Sequence, residues 1–144
     1  MTLPDPKPGL VIHYRFLWSH EQAAGADEGA KDRPCAIVVA TRRDAGGGIR
    51  TIVAPITHAQ PQELTASIAI PAATCRLLGF DNARHWIRLD ELNRFYWPGF
   101  DLRPIPGAPD RYHYGMLPRH LFETLRQAIL DRQHARSNHL ISRD

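Results

Sequence analysis

The sequence is short of several things, and each shortage removes a class of protein. Its 144 residues include two cysteines, with no Cys-x-x-Cys spacing, and eight histidines scattered without paired ligand spacing. A disulfide framework is therefore not expected, nor is a zinc centre. Cys35 lies in the apolar run Pro34-Cys35-Ala36-Ile37-Val38-Val39 and Cys75 precedes Arg76-Leu77-Leu78, so each reads as a small buried hydrophobe. No apolar run approaches the roughly 20 residues of a membrane span. The opening Met-Thr-Leu-Pro-Asp-Pro-Lys-Pro has no apolar segment of the secretory kind. The cytoplasm is the expected compartment, without membrane contact. Glycine-rich phosphate loops, His-Glu-x-x-His, Gly-x-Ser-x-Gly and internal repeats are missing, and no stretch alternates strand and helix as a parallel nucleotide-binding sheet would. Lysine is nearly absent too. Lys7 and Lys31 are the only two, so the net charge of +3 rests on arginine, whose planar fork suits phosphate. A compositional bias toward arginine accounts for the excess equally well.

What is present is a series of short strand signals. Residues 10–18 are rich in β-branched and aromatic side chains, 35–41 form a continuous apolar run, and 49–57 alternate in the manner of a third strand. Asp44 and the glycines 46–48 mark a hairpin turn over 42–48. Residues 67–70 read as a short fourth strand stopped by Pro71, 72–82 allow one helical turn, and 86–92 read as a fifth strand. Residues 19–32 are small and polar, a long loop of the kind that carries function. The aromatic, Pro- and Gly-rich segment 94–111 reads as a packed excursion, with a last short strand at 112–116. One long helix is expected over 118–132, with Leu121, Phe122, Leu125, Ala128 and Ile129 in one stripe; residues 133–144 are polar and expected to fray. The length suits one domain over 1–144, with a core over about 8–132. These elements predict a mainly β fold, a small bent antiparallel sheet or barrel with a C-terminal helix packed on it.

The stretch with most chemistry is His85-Trp86-Ile87-Arg88-Leu89-Asp90-Glu91-Leu92-Asn93. On a strand, Arg88 and Asp90 project from the same face. Such a pair is either a surface ion pair of small energetic value or an acid–base pair for moving protons at a phosphate.

In order along the chain, Pro8-Gly9-Leu10-Val11-Ile12, His20-Glu21-Gln22, Lys31-Asp32-Arg33-Pro34, Val53-Ala54-Pro55-Ile56-Thr57, Ile70-Pro71, Arg88-Leu89-Asp90 and Gly115-Met116-Leu117 together resemble the landmarks of the PemK/MazF family of toxin–antitoxin ribonucleases. The resemblance covers roughly residues 8–132. It departs in the longer 20–33 loop and in the aromatic 94–111 segment. It implies a small SH3-like barrel that forms a homodimer, binds single-stranded RNA and is silenced by an antitoxin with an acidic C-terminal segment. It also implies cleavage of messenger RNA by its own 2′-hydroxyl, without metal or cofactor. The catalytic roles it implies fall on Arg88, Asp90, Thr57 and His20, and RNA binding falls on Arg33, Lys31 and Asn93. Asp90 would be the base, Arg88 the electrostatic stabiliser, Thr57 a hydrogen-bond donor to phosphate and His20 the acid. Each has a plain structural reading beside it: an ion pair for Arg88 and Asp90, a turn cap for Thr57, a solvated loop for His20, a loop-fixing ion pair for Arg33. Phe95-Tyr96-Trp97 would stack bases or divide between core and surface. The alternative for the whole chain is a non-catalytic SH3-like barrel that binds a protein partner or nucleic acid.

Overall fold

The structure is a computed structural model that describes residues 3–42 and 48–143; the glycine turn expected over 42–48 lies, at 43–47, outside the described residues. It is mainly β. Eight strands are arranged in chain order as β1 Leu10–Arg15, β2 Asp32–Arg42, β3 Ile49–Thr57, β4 Ser67–Ala69, β5 Trp86–Arg88, β6 Glu91–Trp97, β7 His113–Met116 and β8 His139–Ser142. Helices α1 Ser19–Ala23 and α2 Ala72–Leu77 are short, and α3 Arg119–His134 is the long one. The sheet runs β4-β5-β3-β2-β1-β7, with β6 also on β3 and β8 on β6. Every pairing is antiparallel except β6 with β8. Curled into a half-barrel, this sheet carries α3 on one face. No helix among the described residues is long and apolar enough to cross a membrane.

Two cores lie on opposite faces of the central strands, which explains why β1 is buried along nearly its whole length. Val11, Ala36, Ala54, Ile56 and Ile87 pack beneath Leu125 and Ile129 of α3. Ile12, Tyr14, Cys35, Ile37, Val53 and Phe95 form the second core, which Trp97 and Leu102 flank. Both thiols are free and buried, and burial pushes each of them above its ordinary range, which suits packing better than nucleophilic chemistry.

Several expectations need correction. The stretch 86–92 is not one strand. Continuing the β3–β5 register past Ile56↔Ile87 would set Asp90 opposite Val53, but Asn93 stands there. The register therefore jumps by three residues, and Leu89-Asp90 bend out of the ladder, as a bulge does when residues are inserted into one strand of a pair. The bend is fixed from both sides: Leu89 N–H donates to the Ala66 carbonyl at 2.8 Å and His139 N–H to the Asp90 carbonyl at 2.8 Å. That second bond belongs to β8, so the tail predicted to fray instead adds a parallel strand with Ile141 buried. The segment expected as an excursion from 94 onward begins as strand, and Phe95 is buried against Tyr14 with ring centroids 4.8 Å apart. The long 19–32 loop contains α1, because Glu21 reaches back to accept the Trp18 N–H at 3.0 Å, half of a capping box.

Candidate functional site

Chain order does not predict which polar residues meet; the pairing does. Thr57 ends β3 opposite Trp86 of β5, Arg88 ends β5 at the bend, and Arg33 lies at the start of β2. The segment between β1 and β2 returns over these ends. It is closed where Gly29 approaches the Phe16 carbonyl so tightly that a Cβ would sit 2.0 Å from the oxygen; no other residue fits there. The result is an open groove of about 340 Å³ bordered by Trp18, His20, Lys31, Arg33, Thr57, Arg88 and Glu91. A neighbouring hollow of about 390 Å³ shares His20, Ala59 and Arg88 and reaches Asp90. A smaller apolar hollow of about 170 Å³, between α3 and the β2/β3/β6/β8 strands, has Arg126 as its sole charged lining residue. The groove, with three cations against the carboxylates of Glu21 and Glu91, both held in hydrogen bonds to the segment between β1 and β2, is the better place for an anion.

Trp18 organises the groove. The Arg33 guanidinium carbon lies 5.0 Å from its ring centroid and that of Arg88 lies 5.2 Å away, both within cation–π range. His20 stacks on the same ring at 6.2 Å. Since both guanidiniums are that close to one centroid, they stand no more than about 10 Å apart. At an effective dielectric of 20 they repel by roughly 1.7 kcal/mol or more. The ring face offsets part of this, and Asp90 offsets more. A site that holds two guanidiniums against their own repulsion is set up for an anion that spans them.

Arg88 and Asp90 form a two-pronged pair, Nε to Oδ1 and Nη2 to Oδ2, each 2.8 Å, in the bidentate geometry that favours strong pairing. They meet because of the bend, not as strand neighbours on one face. Burial raises the Asp90 carboxyl, but the Arg88 hydrogen bonds and charge outweigh it, and the group ends below its ordinary range. The same hydrogen bonds raise Arg88. Nη1 of Arg88 takes no part in the pair and, among the described residues, is left for another acceptor. Among the described residues neither Lys31 nor Arg33 has a carboxylate within ion-pairing distance, and Nε of Arg33 is buried without a partner.

The remaining candidates divide. Thr57 Oγ1 accepts the Ala59 N–H at 3.1 Å, which is the turn-capping arrangement, and its own O–H is left to donate. His20 and Lys31 are exposed on the groove wall. Asn93 does not belong to the site. It is fully buried, accepting the Leu17 N–H at 2.9 Å and donating to the Leu17 carbonyl at 2.8 Å. Its register opposite Val53 turns it inward, so it ties the segment just after β1 to β6 and stands away from the groove surface. Trp18 and Glu91 are the residues that sequence reasoning missed. Glu91 is buried and accepts the Ser19 N–H at 2.7 Å and the Ser19 hydroxyl at 2.6 Å, anchoring α1 beside the groove. No local signal marks either role, although a tryptophan and a buried carboxylate beside several arginines invite the question. The chain matches no model of a known protein family and no curated protein.

Proposed function

We propose that the groove binds the backbone of single-stranded RNA and cleaves it, and that the chain acts as the toxin of a toxin–antitoxin pair of the PemK/MazF kind. The observation that carries the reading is the pair of guanidiniums on Trp18, one of them forked onto Asp90, beside the Thr57 hydroxyl and the His20 imidazole. An anion-binding wall with a carboxylate and an imidazole in one adjoining hollow has the parts that phosphoryl transfer by an internal nucleophile requires.

In this reading a phosphodiester bridges Arg33 and the free Nη1 of Arg88. The approaching phosphate draws the fork away from Asp90, which restores basicity to a carboxylate that the fork had lowered. Asp90 takes the proton of the ribose 2′-hydroxyl, and the 2′-oxygen bonds to phosphorus. The bond from phosphorus to the 5′-oxygen breaks, and His20 in its protonated form gives that oxygen a proton. The products are a 2′,3′-cyclic phosphate and a 5′-hydroxyl, and the two side chains return to their starting states by exchange with water. Arg33, Arg88 and the Thr57 hydroxyl carry the charge that develops on phosphorus oxygens, so this route calls for no metal or cofactor. Duplex RNA is excluded because its sugar and phosphate cannot reach the in-line geometry, and DNA because it lacks the nucleophile.

Silencing follows from the same charges. An acidic, disordered antitoxin segment that orders as it binds would set carboxylates on Arg33 and Arg88 and compete with RNA, and a homodimer would present two such grooves. A second reading has one specific support. Asp90 is already occupied by Arg88, as in a groove that binds an anion without cutting it. Incubating the purified chain with single-stranded RNA, its duplex and a DNA of the same sequence decides between them. Cutting of the single-stranded RNA alone supports the ribonuclease; tight binding with no cutting of any supports the binding module.

A further inference from the structure

The face that holds Arg88 continues past it. Trp86 and Arg88 are two apart on β5 and project from one face, about 6.6–6.8 Å from each other along the strand, with Ile87 between them turned into the core. Thr57 is the cross-strand neighbour of Trp86 on one side and Ala69 on the other. Trp86 is part-buried, and among the described residues no aromatic ring or guanidinium covers it, unlike Trp18. Beyond it opens a hollow of about 350 Å³ whose walls include Ile70, Cys75, Asn82, Arg84 and Trp86.

One wall of this hollow is a turn fixed by its own contacts. The turn that forms one wall is held by Asp81, whose Oδ1 accepts the Ala83 N–H at 3.0 Å and lies 3.0 Å from Nε2 of His85. His85 in turn packs on Phe80 with centroids 4.9 Å apart. The opposite wall is apolar, and the exposed Arg84 on the turn has no carboxylate partner among the described residues. The volume lies at the low end of the range of small-molecule pockets.

We propose that this hollow is a nucleobase subsite: the base of the nucleotide next to the phosphate held by Arg88 stacks on Trp86, with Arg84 on the following phosphate and Asn82 at the base edge. The inference rests on the RNA reading of the groove and extends it by one nucleotide. It follows from continuity. A strand whose phosphate sits between Arg33 and Arg88 and whose sugar lies over Thr57 has its next base above Trp86, since Thr57 and Trp86 are paired directly. Stacking on an indole tolerates every base, so the subsite supplies affinity, with selectivity from Asn82.

The test is an abasic scan. Binding of an uncleavable 2′-O-methyl single-stranded RNA is measured by fluorescence anisotropy, with one base at a time removed from the oligonucleotide, for the wild type, Trp86→Ala, Trp86→Phe and Arg88→Ala. One position should weaken wild-type binding about 5- to 150-fold when its base is removed, the range for losing one base–aromatic stack. Trp86→Ala should weaken the intact oligonucleotide by a similar factor and abolish the penalty at that position alone, while Trp86→Phe keeps most of both. Arg88→Ala should weaken every oligonucleotide and keep the positional penalty. If the wild type binds with Arg88 dependence but Trp86→Ala retains the whole positional penalty, or no position shows one, the subsite is wrong and the groove reading stands. If the wild type binds no single-stranded RNA, the groove reading and the subsite fall together. The wild-type scan requires no variant to fold.

Discussion

Replacing Trp18 with leucine separates what the ring contributes from what the charges contribute. The substitution leaves Lys31, Arg33 and Arg88 in place and keeps an apolar side chain against Phe16, whose ring lies 5.1 Å from the indole. It removes the surface on which two guanidiniums rest at 5.0 and 5.2 Å. Each cation–π contact at a half-exposed site is worth about 0.5–1 kcal/mol, and both must be lost, so phosphate binding should weaken by about 1–2 kcal/mol, or about 5- to 30-fold. The salt dependence should behave differently. If Lys31, Arg33 and Arg88 each meet one phosphate, log K against log salt has a slope of about −2 for a single strand. Trp18→Leu changes the positions of the charges and not their number, so the slope should stay. Arg33→Ala or Arg88→Ala should make it shallower by about 0.7 each. Anisotropy titrations of an uncleavable RNA over a series of salt concentrations measure both quantities, with a thermal melt to show that the variant is folded. Unchanged affinity for Trp18→Leu, or a slope shift like that of the arginine variants, would refute the argument that the ring holds the cations in place.

Other consequences are as definite. Asn93→Ala leaves the Leu17 N–H and carbonyl without their side-chain partner and should cost about 2–6 kcal/mol of stability, with RNA affinity of the folded fraction unchanged; urea denaturation alongside the binding titration checks both. Arg143→Ala strips the partner from Asp101, at 3.0 Å and almost wholly buried, and should destabilise by about 3–5 kcal/mol in the same denaturation experiment. Burial lowers the His13 pKa, against a smaller upward pull from Asp32. With the folded pKa below the unfolded 6.5, the unfolded chain takes up the proton first, so stability falls as pH drops below about 6.5 toward the folded value. Denaturation at pH 7 and pH 5 should show a smaller loss for His13→Gln than for the wild type. Asp90→Asn removes the proposed base and should lower turnover by about 10²- to 10⁴-fold while changing RNA affinity far less, as single-turnover kinetics would show.

Much of the fold was legible because strands of this sheet announce themselves locally. The apolar run at 35–41, the alternation at 49–57 and the stripe on α3 are set by which faces must be buried, and periodicity reports that directly. What was not legible depends on partners distant in sequence. Nothing in His139-Leu140-Ile141-Ser142 distinguishes a paired strand from a polar tail until the Asp90 carbonyl is there to accept the His139 N–H. The bend at Leu89-Asp90 has no glycine or proline to mark it, and it reverses what alternation says about everything after it. Asn93 is the consequence: one shift of register moves it from a groove wall to the core. In the candidate site, Arg33, Arg88, Thr57, His20 and Lys31, the residues that the PemK/MazF resemblance implies, stand around one groove. Trp18 was read only as the end of a strand, because its partners are 15 and 70 residues further along.

The central claim is that Arg88 and Asp90 serve phosphoryl transfer from an internal 2′-hydroxyl, and the ends of the products test it most directly. Single-stranded RNA is incubated with the wild type, Arg88→Ala and Asp90→Asn in excess chelator, and the fragments are identified by mass spectrometry. The account predicts fragments ending in a 2′,3′-cyclic phosphate with matching 5′-hydroxyl ends for the wild type. Arg88→Ala should form them about 10²- to 10³-fold more slowly, the cost of removing one donor from a developing oxyanion. Fragments with 5′-phosphate ends, or equal rates for all three proteins, would contradict it.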